Sequence, residues 1–225
     1  MSADLQPADL RHVDTWLFDL DNTLYPVESG FMGEIERRMT DYVEGLTGLP
    51  RDEAYKLQKK YLAEYGLTLG GLVEHHGVDP HDYHAIFDDL PLEGLSPDPV
   101  LIAAIARLPG RRLIFTNAND VHAERVLAHL GLDHLFHDVF HIALSSYVPK
   151  PSRVAFERMD AAHSIDPAAT AFFEDSERNL EPAAELGMTT VLVGPNAPAS
   201  TAPFVRYKTD NLASFLTDAL LKKAA

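Results

Sequence analysis

The apolar run of residues 16–18 ends abruptly at two aspartates, Asp19 and Asp21, which are two positions apart. A short run of this kind is typical of a buried β-strand. Two carboxylates at the end of a buried strand repel each other, and loss of water raises their pKa values. A divalent cation such as Mg²⁺, which prefers hard oxygen ligands, relieves this cost. The alternative is an ordinary turn after a strand, because Asp-Asn pairs such as Asp21-Asn22 are common in turns.

Other apolar runs alternate with helical patterns along the chain. Continuous apolar strands separated by helices predict a parallel sheet covered on both faces, that is, an α/β fold with a Rossmann-like core. The predicted strands are residues 15–18, 112–115, 140–143, 169–173, 189–193 and 205–207. The predicted core helices are residues 100–108, 121–130, 153–163, 180–186 and 212–221.

A long helical segment separates the first two predicted strands. Apolar residues recur there at spacings of three and four, as at Met32, Ile35 and Met39. The segment is far longer than a crossover between parallel strands requires. We therefore predict a helical cap, residues 27–91, inserted after the first strand of an α/β core domain, residues 1–26 and 92–225. Ligands of open parallel sheets bind beyond the carboxyl ends of the strands, so we expect the cap to cover that edge.

Polar residues follow four of the predicted strands. Besides the two aspartates, they are Thr116-Asn117, Lys150 and Glu174-Asp175. Each also has a purely structural interpretation: the Thr-Asn pair as a helix entry, the lysine as a solvated side chain between two prolines, and the Glu-Asp pair as a strand-end turn. A parallel sheet would bring all of them to one edge, and this coincidence favours a shared site.

These groups are together suited to phosphoryl transfer. One carboxylate can attack phosphorus, while a second protonates the leaving oxygen and later activates water. Mg²⁺ allows an anionic nucleophile to approach an anionic phosphate. Donors such as Thr116 and Lys150 can stabilise the non-bridging oxygens. The sequence thus predicts a Mg²⁺-dependent enzyme that acts on a small phosphorylated metabolite.

Four ordered segments resemble the motifs of the haloacid dehalogenase superfamily. They are residues 18–23 (Phe-Asp-Leu-Asp-Asn-Thr), 115–117 (Phe-Thr-Asn), 150–151 (Lys-Pro) and 173–176 (Phe-Glu-Asp-Ser). Residues 21–26, 65–72, 115–118, 122–127 and 174–180 further resemble the pyrimidine 5′-nucleotidase branch. The resemblance extends from residue 16 to residue 194. One departure is Pro149, where that branch often has a cysteine.

The resemblance implies roles for the acidic residues. Asp19 would be the nucleophile and a Mg²⁺ ligand. Asp21 would be the general acid and base, with its backbone carbonyl on the metal. Asp175 would be the third protein ligand, with Glu174 nearby or bound through water. Dehalogenases of this superfamily lack the second catalytic aspartate, so Asp21 favours phosphate over halide, although a phosphomutase would use the same residues.

The resemblance also implies residues that contact the substrate. Thr116 and Lys150 would bind the phosphoryl group. Thr23 and Asn117 are further substrate-binding candidates, and Asn179 would support the site. In the cap, residues 65–72 are predicted either as only a loop between two cap helices or as a loop that leans over the leaving group and helps to select it. Thr68 is the one hydroxyl side chain within residues 66–72.

Four cap histidines cluster near this segment, with spacing that does not indicate a metal site. They are His75, His76, His81 and His84. On the helix after Thr116, the residues His122 and Arg125 are as well explained by packing or surface roles as by substrate contact. The sequence alone gives none of these residues a function.

The net charge of −15 excludes nucleic-acid polymers and anionic membranes as favoured partners, because like charges repel. The absence of cysteine excludes disulfides and thiolate chemistry and is consistent with a reducing compartment. Residues 1–14 do not resemble a signal peptide, and no apolar run approaches the ~20 residues of a membrane span. We therefore expect a cytoplasmic protein, a monomer or homodimer.

Three hypotheses follow from the sequence. The first is a phosphatase acting on a nucleoside 5′-monophosphate, with a pyrimidine base. The second is a phosphatase of a small sugar or organic-acid phosphate such as phosphoglycolate. The third, from a different class, is a non-catalytic binding protein that keeps the fold. A pure binder has no use for a paired nucleophile and acid, so the intact set of polar residues favours an enzyme.

Overall fold

The computed structural model describes residues 8–223, and side chains through residue 219. Six strands lie within it: β1 Thr15–Phe18, β2 Arg111–Phe115, β3 Asp138–Phe140, β4 Thr170–Glu174, β5 Thr189–Val193 and β6 Tyr207–Thr209. The cap segment contains α1 Phe31–Thr47, α2 Arg51–Tyr65, α3 Thr68–His76 and α4 Pro80–His84. The later helices are α5 Pro99–Ala106, α6 Asp120–His129, α7 Arg153–His163, α8 Glu177–Glu185 and α9 Leu212–Lys223.

The strands form one sheet in the order β3-β2-β1-β4-β5-β6, and all neighbouring pairs are parallel. The chain builds outward from β1 to β3 on one side and then returns to place β4 on the other side of β1. Such a reversal opens a crevice at the carboxyl ends of the two central strands. The predicted α/β fold is confirmed.

Both faces of the central strands are buried, which explains their continuous apolar sequences. Trp16 and Phe18 of β1 pack in the apolar cluster on one face, whereas Leu17 packs in the cluster on the other. On the first face Phe18 stacks on Phe173 of β4, with ring centroids 4.6 Å apart. The alternation of successive side chains across a strand produces this division.

Helices α1–α4 occupy the insert between β1 and β2, as the predicted cap requires. The division into two domains, residues 27–91 against the remainder, stays a prediction. Helices α2 and α3 approach closely where Gly71 faces Tyr61: a Cβ on Gly71 would lie 2.2 Å from Tyr61 Cγ. This contact accounts for one glycine that the sequence places in a helix.

The structure corrects some local predictions. Residues 65–72 are not a loop throughout, because α3 begins at Thr68 and includes Gly70 and Gly71. The third strand is Asp138–Phe140 rather than residues 140–143. The chain leaves the sheet after Phe140, and Ile142 N donates a hydrogen bond to Ala118 O. The sixth strand is shifted to Tyr207–Thr209. Among the described residues, no helix is long and apolar enough to cross a membrane.

Candidate active site

The carboxyl ends of β1, β2 and β4 open into a cavity of about 420 Å³ between the sheet and the cap. The predicted site residues that line it are Asp19, Asp21, Thr68, Thr116, Asn117, Lys150, Glu174, Asp175 and Asn179. Thr23 is buried and does not line the cavity. The fold thus brings together groups from five separate parts of the sequence.

The turn after β1 places both aspartates at the cavity. The backbone N–H of Thr23 and that of Leu24 both donate to Leu20 O. Asn22 has a positive φ of 61°, a conformation that asparagine tolerates better than most residues. The Thr23 hydroxyl donates to Asp19 Oδ2 at 3.1 Å. Thr23 therefore positions the predicted nucleophile from behind instead of facing the cavity.

Lys150 is 1% exposed and lies at the centre of the buried charges. Its Nζ donates to Asp19 Oδ1 at 2.7 Å, to Phe115 O at 2.7 Å and to Glu174 Oε1 at 3.0 Å. Burial lowers the pKa of Lys150, but the charges of Asp19 and Glu174 outweigh it and raise the pKa above its ordinary value. An ammonium has three N–H donors, and all three are used here. A bond from Lys150 to a phosphoryl oxygen requires the exchange of one of them.

Asn117 holds the backbone that carries this lysine. Its Oδ1 accepts from Lys150 N at 2.9 Å, and its Nδ2 donates to Lys150 O at 3.3 Å. The neighbouring Thr116 is 2% exposed, and its Oγ1 accepts from Ala118 N at 3.0 Å. That bond uses the oxygen as an acceptor, so the hydroxyl hydrogen of Thr116 is available to an oxygen in the cavity.

Asp19, Glu174 and Asp175 form an acidic group in which each residue offers one carboxylate oxygen, and these three oxygens lie within 4.8 Å of one another. Burial raises the pKa of Asp19 to about 7, with Lys150 opposing the shift and Glu174 adding to it. Burial, Asp19 and Glu174 together raise the pKa of Asp175 to about 8. Without a cation, Asp19 and Asp175 are ionised only at a considerable energetic cost.

This group fits Mg²⁺ in its donor chemistry, since hard oxygens are the preferred ligands. Two buried oxygens nearby, Asn22 Oδ1 and Asn179 Oδ1, have no hydrogen-bond partner among the described residues. Glu174 is less available: its Oε1 accepts from Lys150 Nζ and Asn179 Nδ2, and its Oε2 from Ser176 N. Asp19 and Asp175 are therefore the better candidates for direct ligands.

Asp21 makes two contacts that the sequence analysis missed. The Tyr25 hydroxyl donates to Asp21 Oδ1 at 2.7 Å, and His122 Nε2 lies 3.0 Å from the same oxygen. Neither contact involves Oδ2. Burial raises the pKa of Asp21, but His122 and the bond from Tyr25 outweigh it and leave the pKa below its ordinary value. His122 of α6 is 101 residues from Asp21 in the sequence, so no local pattern predicts that contact. Tyr25 is only four residues from Asp21, so the sequence could have indicated that contact.

Thr68 lines the cavity, but its hydroxyl donates to Gln58 O at 3.3 Å in α2. Of the cap histidines, His75 and His76 bond the hydroxyls of Tyr65 and Tyr61. His81 lies at the exposed start of α4. His84 alone among the four lines the cavity.

Comparisons with known proteins give a family match and a curated relative. Residues 13–187 match the family model of haloacid dehalogenase-like hydrolases. Over 193 residues the chain is 29% identical to Phosphate metabolism protein 8 of Saccharomyces cerevisiae; the match covers 79% of this chain but only 60% of the length of that relative.

Two solved structures share the fold. CbbY from Rhodobacter sphaeroides, in complex with phosphate, is 20% identical with a TM-score of 0.63, over 91% of this chain and 99% of that one. The HAD-hydrolase YfnB from Bacillus subtilis, bound to magnesium, is 16% identical with a TM-score of 0.61, over 92% and 98% of the chains. By the extent of the family match, the chain belongs to the haloacid dehalogenase-like hydrolases.

Proposed function

We propose that this hydrolase cleaves phosphomonoesters with Mg²⁺, through a phosphoryl group transferred to Asp19, and that its substrate is a nucleoside 5′-monophosphate with a pyrimidine base. The observation that supports this reaction is that two neighbouring carboxyl groups, those of Asp19 and Asp21, have different hydrogen-bond partners. Asp19, a member of the acidic group, is hydrogen-bonded to Lys150 and Thr23. Asp21 is bonded to Tyr25 and His122.

Mg²⁺ would be held by Asp19 and Asp175, with the backbone carbonyl of Asp21 and with Glu174 directly or through water. When bound it would neutralise charge on the phosphate and on the attacking carboxylate. These four residues are suited to a cation because they supply oxygen ligands. The positive charge that contacts Asp19 and Glu174 comes from Lys150.

The chain's own residues account for the rest of the reaction. In the first step an Asp19 oxygen bonds to phosphorus and the bond to the leaving oxygen breaks. Asp21, protonated when the substrate is bound, gives that oxygen its proton. Thr116 donates its free hydroxyl hydrogen to a phosphoryl oxygen. In the second step Asp21 takes a proton from water, which attacks phosphorus and releases phosphate and Asp19. Lys150 orients Asp19 throughout, and Asn117 and Asn179 fix Lys150 and Glu174.

The size and lining of the cavity support a nucleotide over a small organic-acid phosphate. Its volume of about 420 Å³ falls in the range of pockets for small organic ligands. The cap contributes apolar side chains, including Met32, Met39 and Leu69. Phosphoglycolate or a sugar phosphate would leave this apolar wall unused, whereas a nucleobase would cover it. The likeness to the pyrimidine nucleotidase branch supports the pyrimidine base.

We also propose a cytoplasmic monomer or homodimer whose partner is a small phosphorylated metabolite. The strong negative charge supports this proposal, since it disfavours nucleic-acid polymers and anionic membranes.

The test is release of phosphate from a panel of UMP, CMP, AMP, ribose 5-phosphate, phosphoglycolate and p-nitrophenyl phosphate, with Mg²⁺ and with EDTA. We expect Mg²⁺-dependent turnover, with kcat/KM highest for UMP or CMP. Undiminished turnover in metal-free protein would contradict the mechanism. Equal rates for nucleotides and sugar phosphates would contradict the nucleotidase assignment, and highest activity on phosphoglycolate would favour the second hypothesis.

A further inference from the structure

The end of the cavity formed by α4 contains buried polar atoms that the proposed reaction does not use. His84 is 7% exposed and Tyr83 3% exposed, and both line the cavity. Neither ring nitrogen of His84, nor the hydroxyl of Tyr83, has a hydrogen-bond partner among the described residues. Native proteins pair nearly all such groups, so adjacent orphans on a cavity wall point to a ligand.

The surroundings of His84 are aromatic. Its ring stacks on Tyr147 with centroids 5.8 Å apart and an interplanar angle of 22°. Phe87 lies 6.1 Å away and Tyr83 5.7 Å away, centroid to centroid. Flat apolar faces next to a few unpartnered polar atoms suit a planar ring with polar atoms on its edge.

The electrostatics of this end favour a neutral ligand edge. Burial lowers the pKa of His84 to about 4, with His122 contributing to the shift. The imidazole is therefore uncharged near neutral pH and offers one donor and one acceptor. The Tyr83 phenol can also donate or accept. A ring amide or an amino-substituted ring nitrogen presents the same combination, whereas a sugar hydroxyl lacks the planar face.

Asn119 links the backbone of His84 to the backbone of α6. Asn119 Oδ1 accepts from His122 N at 2.9 Å, and its Nδ2 donates to His84 O at 3.4 Å. His122 in turn contacts Asp21, the proposed proton donor to the leaving oxygen. The α4 end of the cavity is thus connected to the side of the site from which the leaving group departs.

We propose that His84 and Tyr83 form the leaving-group subsite, and that the group they bind is the hydrogen-bonding edge of a planar nitrogen heterocycle such as a nucleobase. This inference rests on the proposed function, because it concerns the part of the substrate that the phosphoryl site does not contact. It assigns selectivity to α4 in place of Thr68, whose hydroxyl is bonded to Gln58 O.

The kinetic test compares Tyr83→Phe, His84→Phe and His84→Gln with the wild type in Mg²⁺. We expect kcat/KM for the preferred nucleotide to fall about tenfold in His84→Phe and about three- to tenfold in Tyr83→Phe. His84→Gln, which keeps a donor and an acceptor, should recover most of the activity. For ribose 5-phosphate, kcat/KM of each variant should stay within about twofold of the wild-type value, because that substrate has no base. Equal losses for the nucleotide and ribose 5-phosphate, or no loss for either, would overturn the subsite.

Tyr65→Phe is the matched control. It also removes one cap tyrosine hydroxyl, but that hydroxyl bonds His75 outside the cavity. We expect Tyr65→Phe to leave kcat/KM unchanged for every substrate. A selective loss of nucleotide activity in Tyr65→Phe equal to that in Tyr83→Phe would also overturn the assignment.

A binding measurement separates this inference from the proposed function. Calorimetric titration of uridine, cytidine and adenosine into the wild-type protein requires no phosphoryl chemistry. We expect at least one nucleoside to bind, about three- to tenfold more weakly in Tyr83→Phe, while ribose does not bind. Lack of p-nitrophenyl phosphate hydrolysis would defeat the proposed function alone. Absence of nucleoside binding, or equal binding by Tyr83→Phe, would defeat the subsite alone.

Discussion

The two walls of the cavity differ in what their buried polar atoms require. On the sheet side, Lys150 uses all three of its donors, and the acceptor oxygens of Asn22 and Asn179 have no partner within the part of the chain that the structure describes. On the cap side, His84 and Tyr83 carry groups that can donate as well as accept and that have no partner in residues 8–219. The first wall is suited to a cation and an anion. The second is suited to a neutral polar ring. We propose that the first wall carries out the chemistry that all substrates share and that the second wall selects one substrate.

The largest effect should come from Asp19 on the sheet wall. Asp19→Asn keeps the shape of the side chain but removes the attacking charge, so we expect no detectable turnover of any substrate. Phosphate release would be measured alongside circular dichroism to show that the variant is folded. Residual activity near the wild-type level would mean that another residue is the nucleophile.

The second effect concerns the stability of the same wall. Lys150→Met leaves the buried carboxylates of Asp19 and Glu174 without their cation, so we expect a loss of about 3–5 kcal/mol in the free energy of unfolding. Lys56→Met is the control, because Lys56 pairs with Glu53 in solvent, and its loss should be less than about 1 kcal/mol. Denaturant unfolding of both variants checks the difference. Equal losses would show that the buried pairs contribute no more than a surface pair.

The third effect tests the cap wall through its pH dependence. His84 has a pKa of about 4 in the folded protein and about 6.5 when unfolded, so the unfolded chain binds more protons between these values. Its contribution to stability is therefore complete above pH 6.5 and is lost as pH falls toward 4. We expect this loss to be about 2–3 kcal/mol.

The measurement compares unfolding of wild type and His84→Gln at pH 4 and pH 7.5. Asp19 and Asp175 are shifted in the opposite sense, toward higher pKa, so only the difference between the two proteins isolates His84. If the difference in the free energy of unfolding between the two proteins does not change with pH, His84 is not buried in its neutral form.

The fourth effect concerns the junction of the two walls. His122→Phe keeps an aromatic ring against Phe31 but removes the contact with Asp21, so proton transfer to the leaving group should weaken. We expect kcat to fall about 10- to 100-fold for UMP and for ribose 5-phosphate alike. p-Nitrophenyl phosphate should be nearly unaffected, since its leaving group needs little protonation. A uniform loss across all three would indicate a structural role only.

The smallest effect should come from Thr68. Thr68→Val removes a hydroxyl that bonds Gln58 O, so we expect selectivity between UMP and ribose 5-phosphate to change by less than about threefold. The ratio of the two kcat/KM values measures it. A tenfold change in this ratio would show that Thr68, at the start of α3, determines selectivity, and it would contradict the assignment of selectivity to α4.

The structure also shows how far local sequence can be read. Helix α7 and strand β5 were predicted with their observed bounds, because Arg153–His163 and Thr189–Val193 carry clear helical and strand patterns. The start of α3 was missed because Gly70 and Gly71 disfavour a helix locally. Tertiary packing overrides that preference: Tyr61 and Tyr65 fill the space that larger side chains would need.

The sequence by itself determined the α/β sheet, the insert after β1 and the acidic chemistry at the strand ends. Those features follow from periodicity and from residues next to each other in the chain, such as the two aspartates after β1. Only the tertiary structure decided what each side chain contacts. It placed Thr23 behind Asp19, gave all the donors of Lys150 to buried acceptors and brought His122 to Asp21 across 101 residues. It also placed His84 and Tyr83 at the cavity with no hydrogen-bond partner for their side chains among the residues that the structure describes, because hydrogen bonds and burial depend on neighbours distant in sequence.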